Sequence, residues 1–297
     1  MLKSFNEIEQ KLVQIPSKVV AIPGAETPSA IKAACIAKRK QIADFILIGN
    51  KIKIEELIKK EDKSLVGEFD IYHENDSEQS TARAIQIIRN HHADLILKGH
   101  ITTAELMKAI LNKNNGIEID DILSDVLVFE NAQSLTLMTD GGIVLYPDLN
   151  DKIALIKNAV YVAKKLDFKN PKVALLAAIE KANPKMQSTM DAAKISEMNQ
   201  KGLLSDCIID GPFALDIAVS DFAAKIKQIE SPVAGNADIL IMPNIEAGNI
   251  FGKALTYFAH FKVGHVIMGA KVPILVTSRA DDAQTKLNSI ALGLICA

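Results

Sequence analysis

A two-domain α/β architecture built on mostly parallel, doubly wound sheets is predicted by three observations. Short apolar runs alternate with helical segments along nearly the whole chain. Most of these runs end in glycine, proline or a small polar residue. The 297-residue length also exceeds one average core. Repeated β-α-β units imply right-handed crossovers.

Taken in order, Met1–Glu9 reads as a charged helix and lacks the apolar segment of a signal peptide. Lys18–Ile22 is a strand ending in Pro23-Gly24, before a helix over Pro28–Lys40. Phe45–Ile48 ends in Gly49-Asn50 and leads into a helix over Lys51–Lys60. Phe69–Tyr72 is a short strand, with Asp76 or Ser77 as cap for a helix over Glu78–His91. Asp94–Leu97 ends in Lys98-Gly99-His100, and Thr102 or Thr103 caps the next helix. The rhythm breaks over residues 113–150, where Val126–Phe129 and Ser134–Met138 predict an antiparallel hairpin. It resumes with a helix over Asp151–Leu166, a strand over Lys172–Ala177 and a helix from about Pro184 to Lys201. A strand over Asp206–Ile209 and a helix over Ala214–Lys227 come next. Ala237–Met242 is a strand of the type buried on both faces, closed by Pro243. The turn Asn244–Asn249 precedes a helix over Ile250–Phe261. Val272–Val276 is the last strand, and Asp281–Cys296 is a helix with one apolar face. The expected division is residues 1–134 with 268–297 as one domain, and 135–267 as the other.

Lys plus Arg is 34 and Asp plus Glu is 36, a net charge of −2, which argues against a nucleic-acid binder. No run reaches the roughly 18 apolar residues of a membrane span, so a cytoplasmic protein is expected. The three cysteines, Cys35, Cys207 and Cys296, have no metal spacing and lie in apolar runs. They read as buried thiols.

Polar residues gather where strands end, the edge at which α/β proteins bind ligands. Thr277-Ser278-Arg279 follows the last strand, with two hydroxyls and a guanidinium fork suited to phosphate or carboxylate. Gly248 and Asn249 either turn the chain or expose amides to an anion. Gly248 to Lys253 mimics a phosphate-binding loop but has one residue too few between its glycines, and Ala254 where a hydroxyl is needed. Lys98 offers an ammonium beside Gly99. Asp210, beside Gly211, either caps amides or faces a site.

Read together, the stretches ADLILKGHITT (93–103), LTLMTDGG (135–142), KVALLAAIEKANPKMQST (172–189), DGPFALDIA (210–218), SPVAGNADILIMPNIEAGNIFGKAL (231–255) and KVPILVTSRAD (271–281) resemble the phosphate acetyl/butyryltransferase family. The form TSRAD and the short N-terminal region look most like the butyryl branch. The resemblance implies reversible transfer of a short acyl group between coenzyme A and inorganic phosphate. It implies a fold related to isocitrate and isopropylmalate dehydrogenases, a site in the interdomain cleft, and a homodimer or larger homo-oligomer. Coenzyme A, acyl phosphate and phosphate would be the partners, with no nucleic acid, membrane, metal or further cofactor.

Carried over by motif, Ser278 and Arg279 contact the phosphoryl group, with Lys98 and Asp282 as further catalytic residues. Gly99, Thr102, Asp210, Gly211, Glu246, Gly248, Asn249 and Lys253 are the expected substrate contacts. The acetyl branch carries an aspartate shortly after the Ser-Arg pair. Here that register falls near Gln284 and Thr285, with Asp281 and Asp282 as the nearby carboxylates. Two other classes remain open on the sequence alone. One is a metal- and NAD-dependent dehydrogenase of the same fold; the other is a non-catalytic sensor of coenzyme A or acyl phosphate.

Overall fold

The computed structural model describes residues 1–117, 119–131, 134–278 and 281–297. The chain divides into two compact units. A terminal unit holds residues 5–120 with 263–297, and a central unit holds residues 1–4 with 121–262.

The terminal unit opens with α1 (Phe5–Leu12), β1 (Val19–Pro23), α2 (Pro28–Arg39), β2 (Asp44–Gly49) and α3 (Lys51–Glu61). It continues with β3 (Asp70–His73), α4 (Ser77–Arg89), β4 (Leu95–Leu97) and α5 (Thr103–Ile110). Pro28 starts α2, where a missing N–H costs nothing. Asp76, not Ser77, caps α4 by accepting from Gln79 N at 2.7 Å.

The central unit contains β5 (Ile119–Glu130), β6 (Leu135–Thr139), α6 (Leu149–Lys165), β7 (Lys172–Leu176), α7 (Gln187–Gln200) and β8 (Ile208–Phe213). It also contains α8 (Leu215–Val219), α9 (Asp221–Ile226), β9 (Ile239–Ile241) and α10 (Ile245–Tyr257). β5 and β6 form the expected antiparallel hairpin, with Leu127 opposite Met138. The chain then returns to the terminal unit through β10 (Lys262–Ala270), β11 (Ile274–Leu275) and α11 (Ala283–Cys296).

In the terminal unit the strand order is β3-β2-β1-β4-β11-β10. All neighbours are parallel except β10 with β11. Successive strands run outward from β1 and then resume on its other side at β4, so the order reverses between β1 and β4. In the central unit the order is β5-β6-β9-β7-β8, parallel from β6 onward. The α/β class with mostly parallel sheets is therefore present in each unit.

Several local readings change. The crossings fall at 120/121 and 262/263 rather than near 135 and 268. β5 is longer than its apolar stretch and keeps its hairpin within the central unit. The helix expected over 214–227 breaks at Ser220, whose extended backbone and hydroxyl cap a second helix through Ala223 N at 3.2 Å. β10 has no counterpart in the sequence pattern, because Gly264, His265 and Gly269 interrupt its apolar alternation. Gly264 is needed there for packing: a Cβ would lie 3.0 Å from the Phe5 ring and 3.1 Å from the Asn288 backbone.

Candidate active site

In the terminal unit, β1, β4 and β11 are adjacent and end together. Lys98 follows β4 and is buried, its Nζ donating to Ile101 O at 3.0 Å. Its backbone N–H donates to Leu275 O at 2.9 Å, tying the end of β4 to β11. Gly99 donates its N–H to Pro23 O at 3.0 Å, and a Cβ there would stand 2.1 Å from Gly24 O. Glycine is thus demanded by the approach of β1's own backbone. Thr102 is the N-cap of α5 in a reciprocal capping box with Glu105. Hydrogen bonds from Thr102 and Ser77 hold the Glu105 carboxyl down at about 2.

Beyond β11, Thr277 is buried and Ser278 exposed. Arg279 lies outside the described residues. Ser278 N donates to Asp281 Oδ2 at 2.7 Å, and Asp282 Oδ1 accepts from Thr285 N at 2.8 Å as the N-cap of α11. Each of these carboxylates therefore spends one oxygen on the backbone. Beneath them lies a residue that sequence reasoning missed, Lys286, whose Nζ donates to Ser278 O and Asp281 O, each at 3.1 Å. Burial pushes its ammonium pKa down, opposed by Asp281 and Asp282. In the sequence it is one more polar residue of an amphipathic helix. The available signal was a lysine in the first turn of a helix, against the macrodipole.

In the central unit, β6 delivers Asp140, which is 2% exposed. Its carboxylate accepts from Asp125 N at 2.8 Å, Gly142 N at 2.5 Å and Ile143 N at 2.8 Å. Burial and then the Asp125 charge push its carboxyl up to about 6, against the pull of those three N–H groups.

α10 begins at Ile245, five residues earlier than the pattern suggested, because Asn244 caps it through Ala247 N at 2.9 Å. Gly248 and Asn249 are consequently inside the helix, not in a turn exposing amides. Ile245 N is taken by Leu145 O at 2.9 Å and Gly248 N by Asn244 O at 3.2 Å. Asn249 Nδ2 donates to Gly141 O at 3.0 Å, docking α10 on the 140–143 loop. Glu246, Asn249 and Lys253 share one exposed face of the helix, and Glu246 accepts a hydrogen bond from the Tyr146 hydroxyl. Gly248 faces the other way, where a Cβ would stand 2.1 Å from Asp140 O. Since the obstacle is backbone, Gly248→Ala is expected to destabilise the protein by about 1–3 kcal/mol. A denaturant midpoint unchanged from wild type would refute this.

Asp210 and Gly211 lie within β8. Asp210 Oδ1 accepts from Gly211 N at 2.8 Å, and Gly211, at φ +147°, has no room for a Cβ, which would meet Leu175 O at 2.7 Å. A cavity of about 590 Å³ opens beside β9, lined among others by Tyr146, Lys152, Gln187, Asp191 and Asn244. In its lining Lys152 Nζ meets Asp191 Oδ2 at 2.6 Å, both side chains nearly fully buried, and Gln187 donates to the other oxygen. No sequence signal pairs two residues so far apart on different helices.

The buried side-chain polar atoms without a hydrogen bond are Glu26 Oε2, Thr27 Oγ1, Thr139 Oγ1 and Thr277 Oγ1, among the described residues. All four stand at or just beyond the carboxyl end of a strand, so unmet hydrogen-bonding capacity is concentrated where ligands bind in such folds. Cys35 and Cys207 are buried thiols pushed up to about 11, chiefly by that burial, and are poor nucleophiles. Among the described residues no group of three or more His, Cys, Asp or Glu could hold a metal ion, and no helix is long and apolar enough to cross a membrane.

Residues 78–294 match the family described as Phosphate acetyl/butaryl transferase. A phosphate butyryltransferase of Clostridium acetobutylicum is 40% identical, over 100% of this chain and 99% of its own. A phosphate acetyltransferase of Thermotoga maritima is 39% identical, over 97% of this chain and 99% of its own. Among solved structures, a branched-chain phosphotransacylase from Enterococcus faecalis matches with a TM-score of 0.83 and 31% identity. That match covers 94% of this chain and 98% of the other. With a match this long, and with relatives this similar from end to end, the chain belongs to the phosphate acetyl/butaryl transferase family.

Proposed function

We propose that this protein reversibly transfers a short acyl group, of about butyryl size, between coenzyme A and inorganic phosphate. The carrying observation is the full-length similarity to a phosphate butyryltransferase, 40% identical over 100% of this chain. The strand-end polar groups support it.

An acyl phosphate is already activated, so no covalent enzyme nucleophile, metal or nicotinamide is needed. The thiolate sulfur of coenzyme A attacks the carbonyl carbon, the C–O bond to phosphate breaks, and phosphate leaves with its electron pair. Positioning and preorganised donors supply the acceleration. In this scheme the Ser278 hydroxyl and Arg279 hold the phosphoryl oxygens. Lys98 places a positive charge at the neighbouring strand end, near the oxygen that gains charge. Its carbonyl partners, Ile101 O among them, fix its position. Asp281 and Asp282 are the carboxylates that closely follow the Ser278-Arg279 pair in the chain, each with one oxygen committed to a backbone N–H and the other the candidate acceptor for the thiol proton. On α10, Lys253 and Asn249 are the exposed groups suited to the phosphates and polar edges of coenzyme A. Glycines 99, 211 and 248 serve by letting backbone segments approach closely and not by touching ligand. Thr102 acts as a helix cap, and Asp210 as a brace for its own backbone.

We further propose a cytoplasmic homodimer or larger homo-oligomer and a fold kinship with the isocitrate and isopropylmalate dehydrogenases. A panel of acetyl, propionyl, butyryl and branched acyl phosphates, with thioester formation as the readout, tests the activity. Butyryl or branched substrates are expected to give the highest kcat/KM. A clear acetyl preference would defeat the chain-length claim, and absence of turnover with every substrate would defeat the activity.

A further inference from the structure

Lys286 sits in the first turn of α11, and helical side chains lean toward the helix N-terminus. It therefore reaches back past the helix start, where its Nζ donates to both Ser278 O and Asp281 O, each at 3.1 Å. Ser278 and Asp281 are also joined directly, by Ser278 N to Asp281 Oδ2 at 2.7 Å and Asp281 N to Ser278 O at 3.2 Å. A buried lysine is ordinarily matched by a carboxylate. Among the described residues this one, only 4% exposed, makes no ion pair and is held by carbonyl dipoles alone. Asp281 and Asp282 act on it at longer range. A cation buried at a helix N-terminus works against the macrodipole. Such a departure from local rules is typical of functional positions, where a ligand supplies what the fold does not.

We propose that Lys286 is a positioning residue for acyl transfer: its buried ammonium fixes Ser278 against Asp281 and is the standing positive charge behind Ser278 that a bound phosphoryl group meets. This rests on the reading that places phosphate at Ser278. The phosphate dependence of the reaction from acyl-CoA should therefore be selectively sensitive to this side chain. Lacking the charge, Lys286→Met should bind phosphate with a KM about 10- to 100-fold higher through misplacement of Ser278. Its KM for acyl-CoA should stay unchanged. Lys286→Arg, which keeps the charge, should recover most of the phosphate affinity.

The experiment measures both KM values, kcat and a melting curve for wild type, Lys286→Met, Lys286→Gln, Lys286→Arg and Ser278→Ala. Lys286→Gln keeps a donor for the carbonyls and decides the matter if the Met variant does not fold. A wild-type phosphate KM in a neutral variant, or equal rises in both KM values, would overturn the role of Lys286. Ser278→Ala separates the two failures. If it has wild-type kinetics, the phosphate site lies elsewhere; if it is impaired while Lys286→Gln is not, only the role of Lys286 falls.

Discussion

Arg279→Ala is expected to cost roughly 2–5 kcal/mol of transition-state stabilisation, read as the fall in kcat/KM for acyl phosphate. The guanidinium follows a buried strand end and a hydroxyl pair. A planar fork there can hold two phosphoryl oxygens through paired, charge-assisted hydrogen bonds. An ammonium is a point charge on a flexible stem, so Arg279→Lys should recover little of the loss. The melting curve should hardly move, and coenzyme A should still bind, because its nucleotide contacts are assigned to α10. The decisive comparison is kcat/KM for phosphate and acyl phosphate beside a coenzyme A titration. Near-normal kinetics in the Ala variant would make Arg279 a surface residue. A collapsed melting curve would make it structural.

The second large effect is on stability. Asp191→Ala should destabilise the protein by about 3–5 kcal/mol, because Lys152 would be left as a buried charge without its partner. The two side chains meet at 2.6 Å and are only 5% and 6% exposed, so water cannot replace the lost carboxylate cheaply. Replacing both at once should behave differently. Lys152→Met with Asp191→Leu removes the desolvation cost along with the attraction, and is expected to lie much closer to wild type than either single change. Chemical denaturation of wild type, Asp191→Ala, Lys152→Met, Asp191→Leu and the Lys152→Met/Asp191→Leu double variant gives the coupling directly. If Asp191→Ala kept wild-type stability, or if the single losses simply added in the double variant, the pair would not be the buried ion pair its geometry implies.

The α/β class, the family and the order of nearly all elements were legible in the sequence. The signals are local: apolar runs of strand length such as Phe45–Ile48, caps such as Thr102, and the motif around Ser278-Arg279. Where a local signal was ambiguous, the reading slipped. Asn244 capped its helix earlier than the apolar pattern suggested, which moved Gly248 and Asn249 from a turn into α10. β10 was hidden because Gly264 answers to Phe5 and Asn288, residues far away in the chain. The candidate site divides in the same way. Lys98 and Ser278 could be named from the sequence, since a strand end with polar neighbours is a local pattern. Lys286 beside Ser278 and Asp281, the three N–H partners of Asp140 and the Lys152–Asp191 pair could not. For the glycines, the sequence offered 99, 211 and 248 only as expected substrate contacts. That the close neighbour is the chain's own Gly24, Leu175 and Asp140 was decided by the tertiary structure. Periodicity and capping act over a few residues and are written in order along the chain. Desolvation of a charge, and the space left for a Cβ, depend on atoms that only folding brings together.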